Sequence, residues 1–180
     1  PQRGMATVNK NYARSVSRGS ITQAQMDERL ACFATTTDMN GIADADIIIE
    51  AVFENLALKC EIFTKLDGIA KQGAILATNT STLDINKIGA ATNRAHDVIG
   101  MHFFSPANVM KLCEIVRGEE TSDAVIKTAM ACAKSIAKVS ALVGVCDGFV
   151  GNRMLHKYHL QSGYMIEDGA LPWDVDRVFV

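Results

Sequence analysis

The sequence predicts an α/β fold built on a largely parallel sheet. Two observations carry that expectation: strand-length apolar runs alternate with stretches of helical periodicity, and several runs are continuous, as in strands covered on both faces. From Gly4 to Leu30 the pattern reads as two helices separated by a turn near Arg18-Gly19-Ser20, with Ser20, Thr22 or both placed to cap the second. A short segment around Cys32-Phe33-Ala34-Thr35 and a turn from Asp38 to Gly41 follow. Ala45 to Val52 is a continuous apolar strand flanked by acids, expected to be buried on both faces. It leads into a helix from about Leu56 to Ala70, where Leu58, Ile62, Leu66 and Ile69 share one face.

Ala74 to Thr78 is the next strand, and Asp84 to Ile88 a short helix expected to start at a Ser81-Thr82 cap. Val98 to His102 is a further strand, with Pro106 soon after it, and Lys111 to Val116 is another apolar run. A helix from about Ser122 to Ala137 and a strand from Val139 to Val145 complete the alternation. Beyond Gly148 long helical periodicity takes over, carried by Phe149, Met154, Leu155, Tyr158 and Met165, so a domain boundary is expected near Asp147.

At 180 residues, with 48% hydrophobic content and a formal net charge of −2, the chain can build one sizeable core. Its apolar runs fall well short of the roughly 20 residues of a membrane helix, so no membrane span is expected. Basic residues are dispersed without aromatic interleaving, which leaves no footprint for nucleic acid. Five cysteines without a C-x-x-C pair read as reduced thiols in an intracellular compartment. No set of His, Cys and carboxylates has metal-ligand spacing. The opening Pro1-Gln2-Arg3-Gly4-Met5 has no signal core, and the chain stops inside a helical pattern at Trp173 to Val180, so both ends read as cut.

Several polar residues sit where a parallel sheet delivers side chains to a cleft. His102 ends a strand just before Phe103-Phe104-Ser105-Pro106, where an imidazole can exchange a proton with a ligand or simply bond within the loop. Glu114 lies among Leu112, Cys113, Ile115 and Val116; it is either an edge-strand acid or a buried one that needs a partner, such as an imidazole whose tautomer it fixes. Ser81 and Asn152 each read as a helix cap or as a group that meets a substrate oxygen. Glu54 and Lys59 follow the strand ending at Val52, at a helix start or a cofactor loop, and Asn79 is placed to meet a cofactor ribose or amide. Ser81, His102 and Glu114 do not read as a hydrolase triad, because no Gly-x-Ser-x-Gly surrounds the serine.

Five segments in series resemble the L-3-hydroxyacyl-CoA dehydrogenase family, from about Ala6 to Val178: Ile-Glu-Ala-Val-Phe-Glu-Asn-Leu-x-Leu-Lys, Thr-Asn-Thr-Ser-Thr, Gly-Met-His-Phe-Phe-Ser-Pro, Val-Met-Lys-Leu-Cys-Glu-Ile-Val and Asp-Gly-Phe-Val-Gly-Asn-Arg-Met-Leu. Arg18-Gly19-Ser20-Ile21 leans toward the dehydrogenase part of a multifunctional fatty-acid β-oxidation enzyme. The resemblance implies a Rossmann-like NAD-binding domain lacking its first strands over residues 1–147, and the start of an all-α C-terminal domain over 148–180. It implies His102 as the general base that takes the 3-hydroxyl proton, Glu114 as its orienting partner, and Ser81 and Asn152 as substrate-binding groups. Glu54, Lys59 and Asn79 would lie along NAD, and Lys10 and Arg14, four residues apart on one helix face, would meet the phosphates of an acyl-CoA.

The family's Gly-x-Gly-x-x-Gly turn occurs nowhere in the sequence and would be expected before Pro1, which makes the chain a fragment on this reading. Expected partners are the acyl-CoA substrate, a second copy of the full-length enzyme or an attached hydratase domain. The compartment would be the bacterial cytoplasm, the peroxisome or the mitochondrial matrix. The competing expectation is a Rossmann-like module that binds a nucleotide or CoA without turning it over.

Overall fold

The computed structural model describes residues 2–179, which part between Asp44 and Ala45 into two compact units. In the first, helices α1 (Gln2–Ser17) and α2 (Gln23–Ala31) pack on each other across a turn at Gly19. Thr22, rather than Ser20, caps α2: its hydroxyl accepts from the Gln25 amide at 3.2 Å, and the Gln25 side chain accepts from the Thr22 amide at 2.9 Å.

The second unit is a sheet of five strands in the order β1 (Ile47–Glu50), β2 (Ile75–Thr78), β3 (Val98–Phe103), β4 (Leu112–Arg117), β5 (Val139–Gly144). β1, β2 and β3 are parallel, joined through α3 (Leu56–Ile69) and α4 (Ile85–Gly89). β4 runs antiparallel to β3, because residues 104–111 are fewer than the dozen or so that a parallel crossover requires. β5 returns parallel to β4 after α5 (Asp123–Ser135), and α6 (Gly151–Glu167) and α7 (Pro172–Phe179) follow. None of these helices is long and apolar enough to cross a membrane.

The two-residue period of the strands sorts the chemistry from the core. Ile75, Ala77, Ile99, Met101, Cys113 and Ile115 pack on Val125, Ile126, Ala129 and Ala133 of α5. Thr78, Gly100, His102 and Glu114 therefore lie on the opposite face, and the register of Glu50 with Thr78 puts Glu50 there too. On that face a Cβ at Gly100 would lie 2.3 Å from Ile85 Cδ1 and 2.7 Å from Val116 Cβ, so α4 and β4 approach only because the side chain is missing. Gly100→Ala is expected to cost about 1–3 kcal/mol through overpacking. A lowered urea midpoint at unchanged slope would report it; an unchanged midpoint would mean that α4 shifts freely.

Two sequence expectations are corrected. The segment from Ala45 to Val52 forms a strand only over β1, and Ile49 is 43% exposed, not buried on both faces. β1 is the outermost strand of the described sheet: its Ile48 and Glu50 side is buried, whereas on the other side Ile47 is partly buried against the core and Ile49 is exposed. The helix after β2 is capped by Asp84, whose carboxylate accepts from the Asn86 amide at 2.9 Å, and not by Ser81 or Thr82.

Candidate active site

His102 and Glu114 are direct cross-strand partners on β3 and β4. The pair is buried, at 6% and 1% exposure, and His102 Nδ1 lies 2.8 Å from Glu114 Oε2. Among the described residues no buried side-chain nitrogen or oxygen lacks a partner, and His102 bonds only through Nδ1, so Nε2 is the ring atom open to solvent. A carboxylate accepting from Nδ1–H leaves the lone pair on Nε2. The ring is held by Phe104, at 4.5 Å between centroids, and by Phe149, at 5.9 Å.

The second oxygen of Glu114 has a separate task. Oε1 accepts from the amides of Val150 at 3.0 Å and Gly151 at 2.8 Å, which are orphan donors at the start of α6. The carboxylate thus replaces a side-chain cap, which this helix lacks. The chain reaches that position through Gly148 and Phe149, both in the left-handed region with φ of 68° and 48°. For phenylalanine that conformation costs about 1–2 kcal/mol, offset here by its complete burial beside the imidazole. Gly151 leaves room for Phe104, since a Cβ there would meet its Cζ at 2.6 Å.

Asn152 stands next, inside the first turn of α6, so it is not the cap. Its side chain makes no hydrogen bond among the described residues and is half-buried. The same carboxylate that orients His102 therefore also sets where Asn152 begins.

Ser81 does not cap a helix either; its loop is held by Glu54. Glu54 Oε1 accepts from Thr80 Oγ1 at 2.6 Å, the Ser81 amide at 2.7 Å, Ser81 Oγ at 3.1 Å and the Thr82 amide at 3.3 Å. Partial burial works to raise the Glu54 carboxyl, but hydrogen bonds from Thr80 and Ser81 and the charge of Lys59 outweigh it and hold the group below its ordinary value. Asn79 Oδ1 accepts from the Phe103 amide at 2.8 Å, tying the end of β2 to the residue after the imidazole.

Lys59 sits beside two carboxylates, Glu50 and Glu54. It is 1% exposed, with Nζ 2.8 and 3.0 Å from the two oxygens of Glu50, 3.4 Å from the Val52 carbonyl and 3.5 Å from Glu54 Oε2. Glu50, which sequence reasoning did not single out, also accepts from Thr78 Oγ1 at 2.7 Å and the Val52 amide at 2.5 Å. The available signal was an acid closing an apolar strand nine residues before a lysine on the next helix.

Lys10 and Arg14 are exposed on α1, in the first unit, and carry no ion pair among the described residues. His96, His156 and His159 are exposed, and none bonds to His102 or Glu114 among the described residues. Burial pushes the Cys113 thiol up to about 11, so this neighbour of Glu114 stays protonated and is no nucleophile.

Residues 1–146 match the family described as 3-hydroxyacyl-CoA dehydrogenase, NAD binding domain. The chain belongs to this family. It is 47% identical over 142 residues to the peroxisomal bifunctional enzyme of Cavia porcellus, covering 79% of this chain and 20% of that protein. It is 40% identical over 174 residues to a peroxisomal fatty acid beta-oxidation multifunctional protein of Arabidopsis thaliana, covering 97% and 24%. Among solved structures it resembles (S)-3-hydroxybutyryl-CoA dehydrogenase from Ralstonia eutropha, with a TM-score of 0.94 and 37% identity over 96% of this chain and 62% of that one. The chain thus spans about a fifth to a quarter of the curated relatives it matches. The Rossmann-like fold of the family's NAD-binding domain agrees with the mostly parallel sheet described above.

Proposed function

We propose that the protein carrying this segment oxidises L-3-hydroxyacyl-CoA to 3-ketoacyl-CoA with NAD in fatty-acid β-oxidation. The observation that carries the reading is the 2.8 Å contact between His102 Nδ1 and Glu114 Oε2. It gives Nε2 the lone pair and the exposure a base needs, and gives the imidazolium a counter-charge once it forms. His102 takes the proton of the 3-hydroxyl at Nε2, and Glu114 stabilises the resulting cation without taking the proton itself. Ser81 and Asn152 hold the reacting oxygen and the acyl carbonyl in line, and the dry flank formed by Phe104 and Phe149 keeps the imidazole in one orientation.

NAD, when bound, accepts the hydride from C3. Residues at the carboxyl ends of β1 and β2 fit its nicotinamide and ribose end. Exposed Val52 and Phe53 offer an apolar wall, Asn79 keeps an amide nitrogen without a partner among the described residues, and Glu54 offers a carboxylate to ribose hydroxyls. Lys10 and Arg14 are assigned to CoA phosphates. Residues 1–147 act as part of the NAD-binding domain and 148–180 as the start of a helical domain. A hydratase domain on the same polypeptide and a homodimer complete the proposed assembly. The names of the two curated relatives favour a peroxisomal location if the source is a eukaryote.

The deciding assay follows NADH formation by the full-length polypeptide with L- and D-3-hydroxyacyl-CoA. Turnover confined to the L isomer is the expected result. NAD binding without turnover of either isomer would overturn the reading in favour of a binding module.

A further inference from the structure

We propose that Glu50 is a positioning residue for the cofactor: from inside the fold it fixes the backbone of residues 51–54, from which Val52, Phe53 and Glu54 meet NAD. The inference rests on the reading above, in which NAD lies over the carboxyl ends of β1 and β2. A carboxylate can accept at about four positions. Glu50 fills them within the protein: Oε1 accepts from the Val52 amide at 2.5 Å and Lys59 Nζ at 2.8 Å, and Oε2 accepts from Lys59 Nζ at 3.0 Å and Thr78 Oγ1 at 2.7 Å. The residue is buried, so it acts through what it holds.

The loop needs this support because the sheet stops short of it. Pairing between β1 and β2 ends at Glu50 and Thr78, and residues 51–54 are all exposed. Among the described residues both backbone groups of Val52 are held by one ion pair: its N–H donates to Glu50, and its carbonyl accepts from Lys59 Nζ at 3.4 Å. The next fixed point is the Phe53 carbonyl, which accepts from the Asn55 amide at 2.8 Å, where the Asn55 side chain caps α3. Between these anchors Phe53 is 86% exposed, so packing does little to hold it. The place of the apolar wall is therefore set from the backbone. Glu50 also fixes the ammonium of Lys59, and with it the point from which Lys59 can meet NAD. On the other side the Glu50 carbonyl accepts from the Asn79 amide at 2.8 Å, which ties the same support to β2.

Affinity falls with the fraction of time that a binding loop spends in its competent shape. Glu50→Met in the full-length enzyme removes the acceptor of the Val52 amide, and is expected to raise the NAD dissociation constant by about 10- to 100-fold. Turnover at saturating NAD should stay within about 2-fold of wild type, because the loss lies in binding. Glu50→Gln is the rescue: its carbonyl can keep the Val52 amide while its NH2 donates to the Thr78 hydroxyl, and a neutral bond replaces a charge-assisted one. A rise of only about 3- to 10-fold in the NAD constant is expected. In a Phe53→Ala background Glu50→Met should add less than its own loss, since part of the surface it positions is already gone.

Glu50→Met leaves the Lys59 ammonium buried with Glu54 as its remaining acid, so it puts the fold at risk. Glu50→Gln keeps the shape of the site and decides the question by itself. A carboxylate that only stabilised the fold would change the melting temperature and leave the NAD constant of the folded enzyme untouched; that result in Glu50→Gln overturns the proposal. Losses from Glu50→Met and Phe53→Ala that multiply independently overturn it too, as does a fall in kcat at saturating NAD as large as the fall in kcat/KM. A wild-type enzyme that binds no NAD would defeat the dehydrogenase reading instead, so the two failures are distinguishable.

Discussion

Replacing His102 by glutamine in the full-length polypeptide is expected to lower turnover by about 10²–10⁴-fold, the usual contribution of a positioned general base. NAD affinity should be unaffected, because on the proposed mechanism the imidazole meets the substrate hydroxyl. A glutamine amide reaches the place of Nε2 and can hydrogen-bond there, but it cannot take a proton at neutral pH. It also vacates the Nδ1 position, leaving Glu114 Oε2 without its donor in a buried site, at a cost of about 1–3 kcal/mol in stability. His102→Asn separates the two effects, since its amide nitrogen occupies the place of Nδ1 and can still donate to Glu114. Both variants should be inactive, and the asparagine variant the more stable in thermal melts. A His102→Asn enzyme turning over near the wild-type rate would end the case for a base at this position.

The second large effect is expected from Glu114→Gln, and the geometry makes it worse than loss of a charge. Oε1 must accept from two amides, Val150 and Gly151, while Oε2 must accept from His102 Nδ1. A glutamine has one accepting end and one donating end. If its carbonyl keeps the two amides, its NH2 faces Nδ1, which must then accept, and the ring proton moves to Nε2 where the base is needed. If it flips, its NH2 points at two N–H donors and the start of α6 is pushed away with Asn152. In the serine-hydrolase triad the corresponding change of carboxylate to amide costs about 10⁴-fold through the wrong tautomer. Here a kcat loss of about 10²–10⁴-fold is expected, below that of His102→Gln, with NAD binding retained. Steady-state kinetics beside NAD titration reads it directly; undiminished kcat would show that Glu114 does not set the tautomer.

The alternation of strand and helix was readable because it is written in local periodicity, as in Leu58, Ile62, Leu66 and Ile69 of α3 or the run from Ala74 to Thr78. His102 and Glu114 were readable as candidates because each places a polar group in an apolar run that must then explain it. Their contact was not, since it depends on β4 running antiparallel to β3 in a register that pairs the two residues. The exposure of Ile49 was missed because an apolar run reports what a strand tolerates, not which faces are covered. The true partner of Ser81 was missed for a different reason. A serine before a short helix is a good cap by local rules, and only Glu54, 27 residues earlier, draws it elsewhere. Asp84 then takes the cap at no cost, having the preferred side chain at the adjacent position.

The reversal of the chain between β3 and β4 has a consequence for how the site comes together. The dyad joins residues only 12 apart, across a single antiparallel turn, whereas Ser81 is fixed by a residue 27 away and α6 by contacts spanning 36 and 37. Closing a short loop costs the unfolded chain less entropy than closing a long one, so the base and its carboxylate can meet within one hairpin before the distant segments arrive. On the proposed mechanism, the proton chemistry is encoded in a compact stretch of sequence. The residues proposed to hold the substrate, Ser81 and Asn152, join that stretch from either side of it in the chain, Asn152 through the helix start that Glu114 itself holds.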